Sequence, residues 1–275
     1  DRLEQFADLL GSAYLKLESN PDSQASLAWI CRGGAICNNT NRLLNHEVML
    51  DSVQFLALTA SVANGLVAFA PQRNPSPFVE QTVIASIQHL LRWGNMDAMR
   101  QLDKQLTARW QDVKDGSSAL FFTDKPLWMI SVYADLAGLL QRQPALRAKS
   151  SLTDHQLLMM QKHLSLLLRL FSARIIIMDD IGRNKQKVKT ADLDRGFFRL
   201  YADNKYAGYT SNKKPVACVP QPDGPPRIQV MLDADTLAKI KPVENLGWDI
   251  SHARRLVHAF DAIERNRQAM REVFG

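Results

Sequence analysis

The chain has 275 residues, of which 46% are hydrophobic and 23% are charged. These values are ordinary for a globular protein, and they exclude wholesale disorder because enough apolar side chains are present to form a core. The length predicts a large core with one smaller appended unit.

The three cysteines, Cys31, Cys37 and Cys218, indicate the redox environment. Such sparse and odd-numbered usage in a chain of this length is typical of a reducing compartment, so we expect free thiols and a cytoplasmic location. No basic-then-apolar signal pattern is present at the N-terminus, although a signal peptide that had been removed would leave the same sequence.

Helical periodicity dominates the first 180 residues. Apolar residues from Leu3 to Leu17 recur at helical spacing and predict an amphipathic helix that ends before Pro21. Residues 22–47 look irregular because Gly33-Gly34 and an asparagine-rich turn interrupt them. Further helices are predicted at 48–70, 78–93, 95–113, 125–142 and 152–178.

The segment Val53 to Ala70 is the most apolar in the chain and approaches membrane-spanning length. It contains polar residues such as Gln54 and Asn64, and its neighbours are equally globular. We therefore expect a buried core helix here and no association with a membrane.

The positive charge of the chain is concentrated in residues 183–214. This window holds nine basic and three acidic residues, a net +6 that equals the formal charge of the whole chain. The nine basic residues are Arg183, Lys185, Lys187, Lys189, Arg195, Arg199, Lys205, Lys213 and Lys214. Five aromatic residues between positions 197 and 209 accompany them, and this combination favours binding to nucleic acid. A solvated loop with a small β-hairpin is the alternative.

The character of the chain changes after Asp179-Asp180, which we interpret as a helix end or turn. Phe197–Tyr201 and Val216–Val219 are candidate short strands, and residues 221–226 are typical of a linker. Residues 227–232 alternate between apolar and polar positions and predict a half-buried strand. A helix capped by Asp233 or Asp235 should follow, and then a second one capped by Asp249 or Ser251.

The segment RIQVMLDADTLAKI, with its strand followed by two helices, resembles the ribbon-helix-helix family of DNA-binding proteins. The resemblance implies that two chains pair their strands and insert them into the major groove of DNA. Arg227 and Gln229 would then contact base edges, and Met231 would offer an apolar contact. Pro242 shortens the first helix relative to the family pattern. The alternative is a strand that closes a mixed domain and is followed by an amphipathic helix.

The passage FFTDKPLWMISVYADL, set in a long helical region, is similar to AcaB-type transcriptional activators of conjugative plasmids and integrative elements. This resemblance covers about half of the chain and implies DNA binding in a mobile-element context. We transfer no functional residue from it.

These patterns predict a mainly α fold with an N-terminal multi-helix domain and a small C-terminal unit that contains β-structure. The boundaries we expect are 1–180 for the helical domain, 181–226 for a basic linker or short-strand segment, and 227–275 for a strand-helix-helix unit. By resemblance, the last unit would be of ribbon-helix-helix type.

Recognisable catalytic chemistry is missing from the sequence. It contains no phosphate-binding glycine loop, no dinucleotide fingerprint and no paired-histidine zinc motif, and Cys31 and Cys37 lack a second close pair. We therefore expect no cofactor, no metal and no enzymatic activity.

The leading hypothesis is a DNA-binding transcriptional regulator that uses its basic C-terminal third. It would form a homo-dimer or a higher oligomer on double-stranded DNA, with RNA as a variant, and its helical domain would be available to a protein partner. The candidate contacts are Arg183, Lys185, Lys187, Lys189, Lys213, Lys214, Arg227, Gln229 and Met231. The alternative is a helical adaptor or assembly subunit of a nucleoprotein or secretion complex.

Overall fold

The computed structural model of the chain describes residues 2–34, 37–38, 43–107, 122–182, 184–193, 216–221, 224–230 and 250–275. The chain divides into two compact units. The first, called the helical unit here, comprises Asp1–Met99, Asp124–Leu167 and Arg255–Gly275. The second, called the ribbon unit, comprises Arg100–Thr123 and Leu168–Arg254.

The described part of the chain is mainly helical, which confirms the predicted fold class. A short 3-10 turn, Ser12–Lys16, extends the first helix. The α-helices are α1 Arg2–Gly11, α2 Met49–Phe69, α3 Pro77–Trp93, α4 Met96–Thr107, α5 Asp124–Arg142, α6 Ala145–Lys149, α7 Asp154–Arg174 and α8 Ile250–Phe274.

The predicted helices at 48–70, 78–93 and 125–142 are confirmed to within two residues at each end. Ser76 caps α3 with its hydroxyl and Pro77 occupies the first turn, which explains the sharp start of this helix. The helix predicted at 95–113 is observed as α4 up to Thr107. The remainder of that prediction, residues 108–113, lies outside the described residues.

Helix α2 forms the centre of the helical unit, where it packs on α5. Leu56, Ala60 and Ala63 are fully buried, and the alanines allow the two helices to approach closely. Among the described helices, α2 alone is long and apolar enough to cross a membrane, and half of its most apolar window is buried inside the protein. The prediction of a core helix at this position is confirmed.

In the described parts of the chain, six strands pair as three separate antiparallel hairpins. Their bounds are β1 Glu18–Asn20, β2 Ser23–Ala28, β3 Ile175–Ile181, β4 Lys187–Leu193, β5 Val216–Gln221 and β6 Gly224–Val230. The irregular structure predicted for residues 22–47 is wrong for Ser23–Ala28, which pairs with β1.

Two further predictions around residue 178 are wrong. The helix predicted to end at Met178 ends at Arg174, because the β-branched run Ile175-Ile176-Ile177 continues as strand β3. Asp179 and Asp180, interpreted as a helix end or turn, lie within this strand opposite Lys189 and Val188.

The strand predicted from Val216 is confirmed as β5. The linker predicted at 221–226 is wrong for Gln221 and for Gly224–Pro226, which belong to the β5–β6 hairpin. The predicted strand at Phe197–Tyr201 and the predicted helix after Asp233 lie outside the described residues.

Helix α8 includes the second helix predicted for the C-terminal unit, and from Arg255 onward it belongs to the helical unit. Leu256, Ala259 and Phe274 are buried, and the Phe274 ring meets Tyr133 edge-on with 5.3 Å between centroids. Val257 is 66% exposed. From Leu256 onward α8 is therefore an amphipathic helix whose buried face packs within the helical unit.

A disulfide joins Cys31 to Cys37, whose Cα atoms are 5.6 Å apart. The prediction that these two cysteines are free thiols is therefore wrong. The bridge closes a short loop next to the antiparallel contact between Ile30 and Glu47. A disulfide is more typical of oxidising than of reducing compartments.

Candidate nucleic-acid interface

The β3–β4 ribbon, residues 175–193, carries three predicted nucleic-acid contacts that the structure describes, Lys185, Lys187 and Lys189. Its seven residue pairs run in continuous register from Ile175 opposite Leu193 to Ile181 opposite Lys187. In the turn, Gly182 donates its N–H to the carbonyl oxygen of Gln186 over 2.9 Å. Lys185 has a φ of 57°, so its backbone adopts the left-handed conformation that such a turn requires.

One face of the ribbon combines cations with isoleucines. Ile181 lies opposite Lys187, and Asp179 lies opposite Lys189, so these four residues share a face. The Lys189 ammonium donates to Asp179 Oδ1 over 2.6 Å. Lys187, like Lys185 in the turn, forms no ion pair within the described residues. These two lysines are therefore the cations most available to a ligand.

The ribbon leaves large apolar side chains in solvent on both faces. Ile177 is 63% exposed and Ile181 is 70% exposed on the face described above, whereas Met178 and Val188 are each 37% exposed on the other face. At the base of the ribbon Leu193 is fully buried. The residues near the turn thus form a solvated arm anchored at its base. Contiguous exposed apolar side chains of this kind mark interaction surfaces.

The charge of the ribbon is unevenly distributed between its strands. By sequence, residues 175–193 contain four basic and three acidic residues, a net charge of +1. Asp179 and Asp180 lie on β3, whereas Lys187 and Lys189 lie on β4 and Lys185 lies in the turn. The turn and the first residues of β4 are therefore the cationic part.

The other predicted contacts fall elsewhere. Arg227 and Gln229 lie on β6, opposite Val219 and Ala217 of β5. The predicted contacts Arg183, Lys213, Lys214 and Met231 lie outside the described residues. The structure therefore brings Lys185, Lys187 and Lys189 together and places Arg227 and Gln229 on a separate hairpin.

The pairing of β6 bears on the ribbon-helix-helix resemblance. In that family the strand pairs with the same strand of a second chain. Here one edge of β6 is occupied by β5 of the same chain. A second chain would therefore have to add to the opposite edge of β6.

The helical unit contains a buried polar cluster that unites three helices, which we call the Asp135 cluster. Asn64 of α2 and Asn266 of α8 each donate an amide N–H to Asp135 Oδ1 of α5, over 2.8 and 2.9 Å. Arg142 donates to Asn64 Oδ1 over 2.7 Å, and Arg265 lies 3.4 Å from Asp135. Burial raises the pKa of Asp135, although these partners oppose that shift.

Two more buried sites of the helical unit contain histidine. Tyr133 Oη and His163 Nδ1 are 3.0 Å apart, and burial lowers the pKa of His163 to about 4. His89 Nε2 lies 3.8 Å from Glu47 Oε1, and burial likewise lowers the pKa of His89 to about 4. Both histidines are therefore neutral at physiological pH.

These buried groups are suited to holding helices together. Both oxygens of Glu47 accept hydrogen bonds from Arg92, and the Asp135 cluster is internally hydrogen-bonded. No group of three or more potential metal ligands occurs within the ranges that the structure describes. The exposed β3–β4 ribbon is therefore the stronger candidate for a functional surface.

The sequence pattern identified the lysines of the ribbon and left a small β-hairpin open as an alternative for residues 183–214, but it placed Ile175–Met178 in a helix and gave no sign of the exposed isoleucines. The available signal was the run Ile175-Ile176-Ile177 followed, beyond a glycine, by the alternating Lys187-Val188-Lys189.

Comparisons with protein-family models, with curated proteins and with solved structures found no match to this chain. The secondary structure of the described residues defines the chain as a mainly helical protein with antiparallel β-hairpins.

Proposed function

We propose that this protein is a DNA-binding regulator that contacts duplex DNA through the β3–β4 ribbon. The observation that carries the proposal is the face that combines Ile177 and Ile181 with Lys187 and Lys189. A two-stranded ribbon fits the major groove of B-DNA, where side chains reach base edges.

The chemistry of this face matches the two kinds of group that duplex DNA offers. Lys185 and Lys187 supply cations for phosphate oxygens or for the acceptor atoms of guanine. Ile177 and Ile181 supply apolar contacts for thymine methyl groups. The arm is exposed on both faces, so a duplex can approach it without displacing a core element.

The test is the affinity of the intact chain for a short random-sequence duplex, measured by fluorescence polarisation from roughly 50 to 200 mM salt. The variant Lys185→Glu/Lys187→Glu reverses two lysines of the ribbon that form no ion pair with any residue the structure describes. We expect it to weaken binding at least about tenfold and to flatten the salt dependence, because two phosphate contacts are lost.

The matched control is Lys16→Glu/Lys162→Glu. Both residues are exposed, and they lie in the helical unit, so the net charge changes equally. This control should bind like the wild-type chain. Equal losses of DNA affinity in the two variants would show that the effect comes from the overall charge of the chain, and they would refute a site on the ribbon.

A second candidate function is assembly with another protein. It is favoured by Met178 and Val188, which lie on the face opposite the isoleucines and are also exposed. The variant Met178→Ser/Val188→Ser should abolish a protein complex while leaving DNA affinity unchanged. Loss of DNA affinity in this variant would argue against separate roles for the two faces.

A further inference from the structure

The helical unit contains a cavity that is independent of the ribbon. Its volume is about 260 Å³, and it lies between the β2 end, the disulfide-bridged loop and the start of α2. The residues that decide its chemistry are Trp29, Val48, Asp51, Ser52, Phe55 and the Cys31–Cys37 disulfide. Most of this lining is apolar, and two polar residues, Asp51 and Ser52, come from the first turn of α2 and its neighbourhood.

The aromatic walls of the cavity are held in place by their own contacts. Trp29 and Phe55 meet at 75° with 5.0 Å between ring centroids. Trp29 donates its indole N–H to the carbonyl oxygen of Ala13 over 2.8 Å and stacks on His89 at 5.1 Å. Such rings are fixed before a ligand arrives, which lowers the entropic cost of binding.

Apart from Asp51, the charged groups that the structure describes around the cavity balance one another. Burial opposes ionisation of Glu47, but hydrogen bonds and charge from Arg92 outweigh it and lower the pKa of Glu47, which makes this a neutral pair. Ser52 lines the cavity, and its side chain also lowers the pKa of Glu47. His89 behind Trp29 is neutral at physiological pH. These groups therefore contribute no net charge.

Asp51 carries the one lining charge that none of the described residues compensates. Its side chain is exposed, and it forms no hydrogen bond or ion pair within the part of the chain that the structure describes. Its place in the first turn of α2 stabilises the helix, but that role does not require an aromatic cavity beside it. A carboxylate in the lining of an aromatic cavity attracts a cation.

We propose that this cavity binds a small organic cation with an apolar body, such as an arylalkylamine. The ammonium group would lie against Asp51, and the apolar body would contact Trp29 and Phe55. Aromatic rings and a carboxylate both attract ammonium groups, whereas an anion of the same shape would be repelled. The volume restricts the ligand to roughly ten non-hydrogen atoms, because cavities that hold drug-sized ligands are larger.

The experiment compares three probes of one skeleton: phenylpropylamine, phenylpropanol and phenylpropionate. Each is titrated into the full-length chain by isothermal calorimetry at neutral pH. We expect the amine to bind at least about tenfold more tightly than the alcohol, and the carboxylate to bind most weakly. Equal affinities of amine and alcohol, or no binding of the amine, would overturn the proposal.

Three variants locate the binding site. Asp51→Asn should reduce the preference for amine over alcohol to less than about threefold, because it removes the charge and keeps the shape. Phe55→Leu keeps an apolar wall but should weaken the amine more than the alcohol. Asp8→Asn removes an exposed carboxylate of α1 and should change nothing. Amine binding by Asp51→Asn that equals the wild type would also refute the site, provided that circular dichroism shows equal melting.

Discussion

In the helical unit, charged and amide side chains lie inside the core, whereas in the β3–β4 ribbon isoleucines lie in solvent. Asp135 is 1% exposed and is hydrogen-bonded to α2 and α8, while Ile181 is 70% exposed. Each arrangement costs free energy by itself. The buried polar cluster therefore serves cohesion of the helices, and the exposed apolar side chains support the proposal that the ribbon contacts another molecule.

The largest expected effect is on the stability of the helical unit. Asp135→Ala leaves amide groups of Asn64 and Asn266 with fewer acceptors, so the free energy of unfolding should fall by about 2–4 kcal/mol. Urea denaturation of the variant and the wild-type chain measures this change in the free energy of unfolding. Asp8→Ala, at an exposed position of α1, should change stability by less than about 0.5 kcal/mol. A similarly small change in stability for Asp135→Ala would show that the Asp135 cluster does not stabilise the helical unit.

The second effect is a loss of folding stability at acidic pH. The folded-state pKa of His163, about 4, lies below its ordinary value of 6.5, so the unfolded chain binds the proton more readily. The contribution of His163 to the free energy of unfolding is therefore fully present above pH 6.5 and is lost as the pH falls toward 4. The loss from this residue amounts to at most about 3 kcal/mol.

His163→Gln should make the unfolding free energy less dependent on pH in that window, measured by urea denaturation at several pH values. His155→Gln serves as the control, because His155 is exposed on the same helix. An unchanged pH profile for His163→Gln would contradict the assignment.

The third effect compares two helical glycines. A Cβ atom at Gly138 would lie 2.2 Å from Asn266 Oδ1 and 2.8 Å from Asn64 Nδ2, whereas one at Gly65 would meet nothing within 4 Å. Gly138→Ala should cost about 1–3 kcal/mol because it intrudes on the Asp135 cluster. Gly65→Ala should stabilise α2 by about 0.5–1 kcal/mol. Thermal unfolding of both variants checks the contrast, and equal effects would contradict it.

The smallest effect is expected in the ribbon. Ile177→Ser/Ile181→Ser should change the unfolding free energy by less than about 1 kcal/mol, because both side chains are already largely in solvent. The same variant should lose affinity for duplex DNA, measured by fluorescence polarisation. A large loss of stability would show instead that these residues support the fold.

The helices could be predicted because periodicity, Ser76-Pro77 and Gly94 mark them locally in the sequence. The β1–β2 hairpin and the start of β3 were missed, since strands depend on pairing partners that local patterns do not reveal. For α7, leucine-rich periodicity continued into the isoleucine run, where strand propensity and pairing with β4 prevail.

The candidate site was predictable only in part. Lys185, Lys187 and Lys189 stood out by charge, whereas the exposure of Ile177 and Ile181 depends on tertiary packing, which the local sequence does not encode. The Asp135 cluster joins residues 64, 135 and 266, and no local pattern connects positions so far apart in the chain.

Hydrogen exchange with and without saturating duplex DNA is the decisive test of the proposed DNA contact. We expect slower exchange in peptides that cover Ile175–Ile181 and Lys187–Leu193, and unchanged exchange in α2 and α5. Protection confined to the helical unit, or no protection anywhere, would contradict a DNA contact through the β3–β4 ribbon.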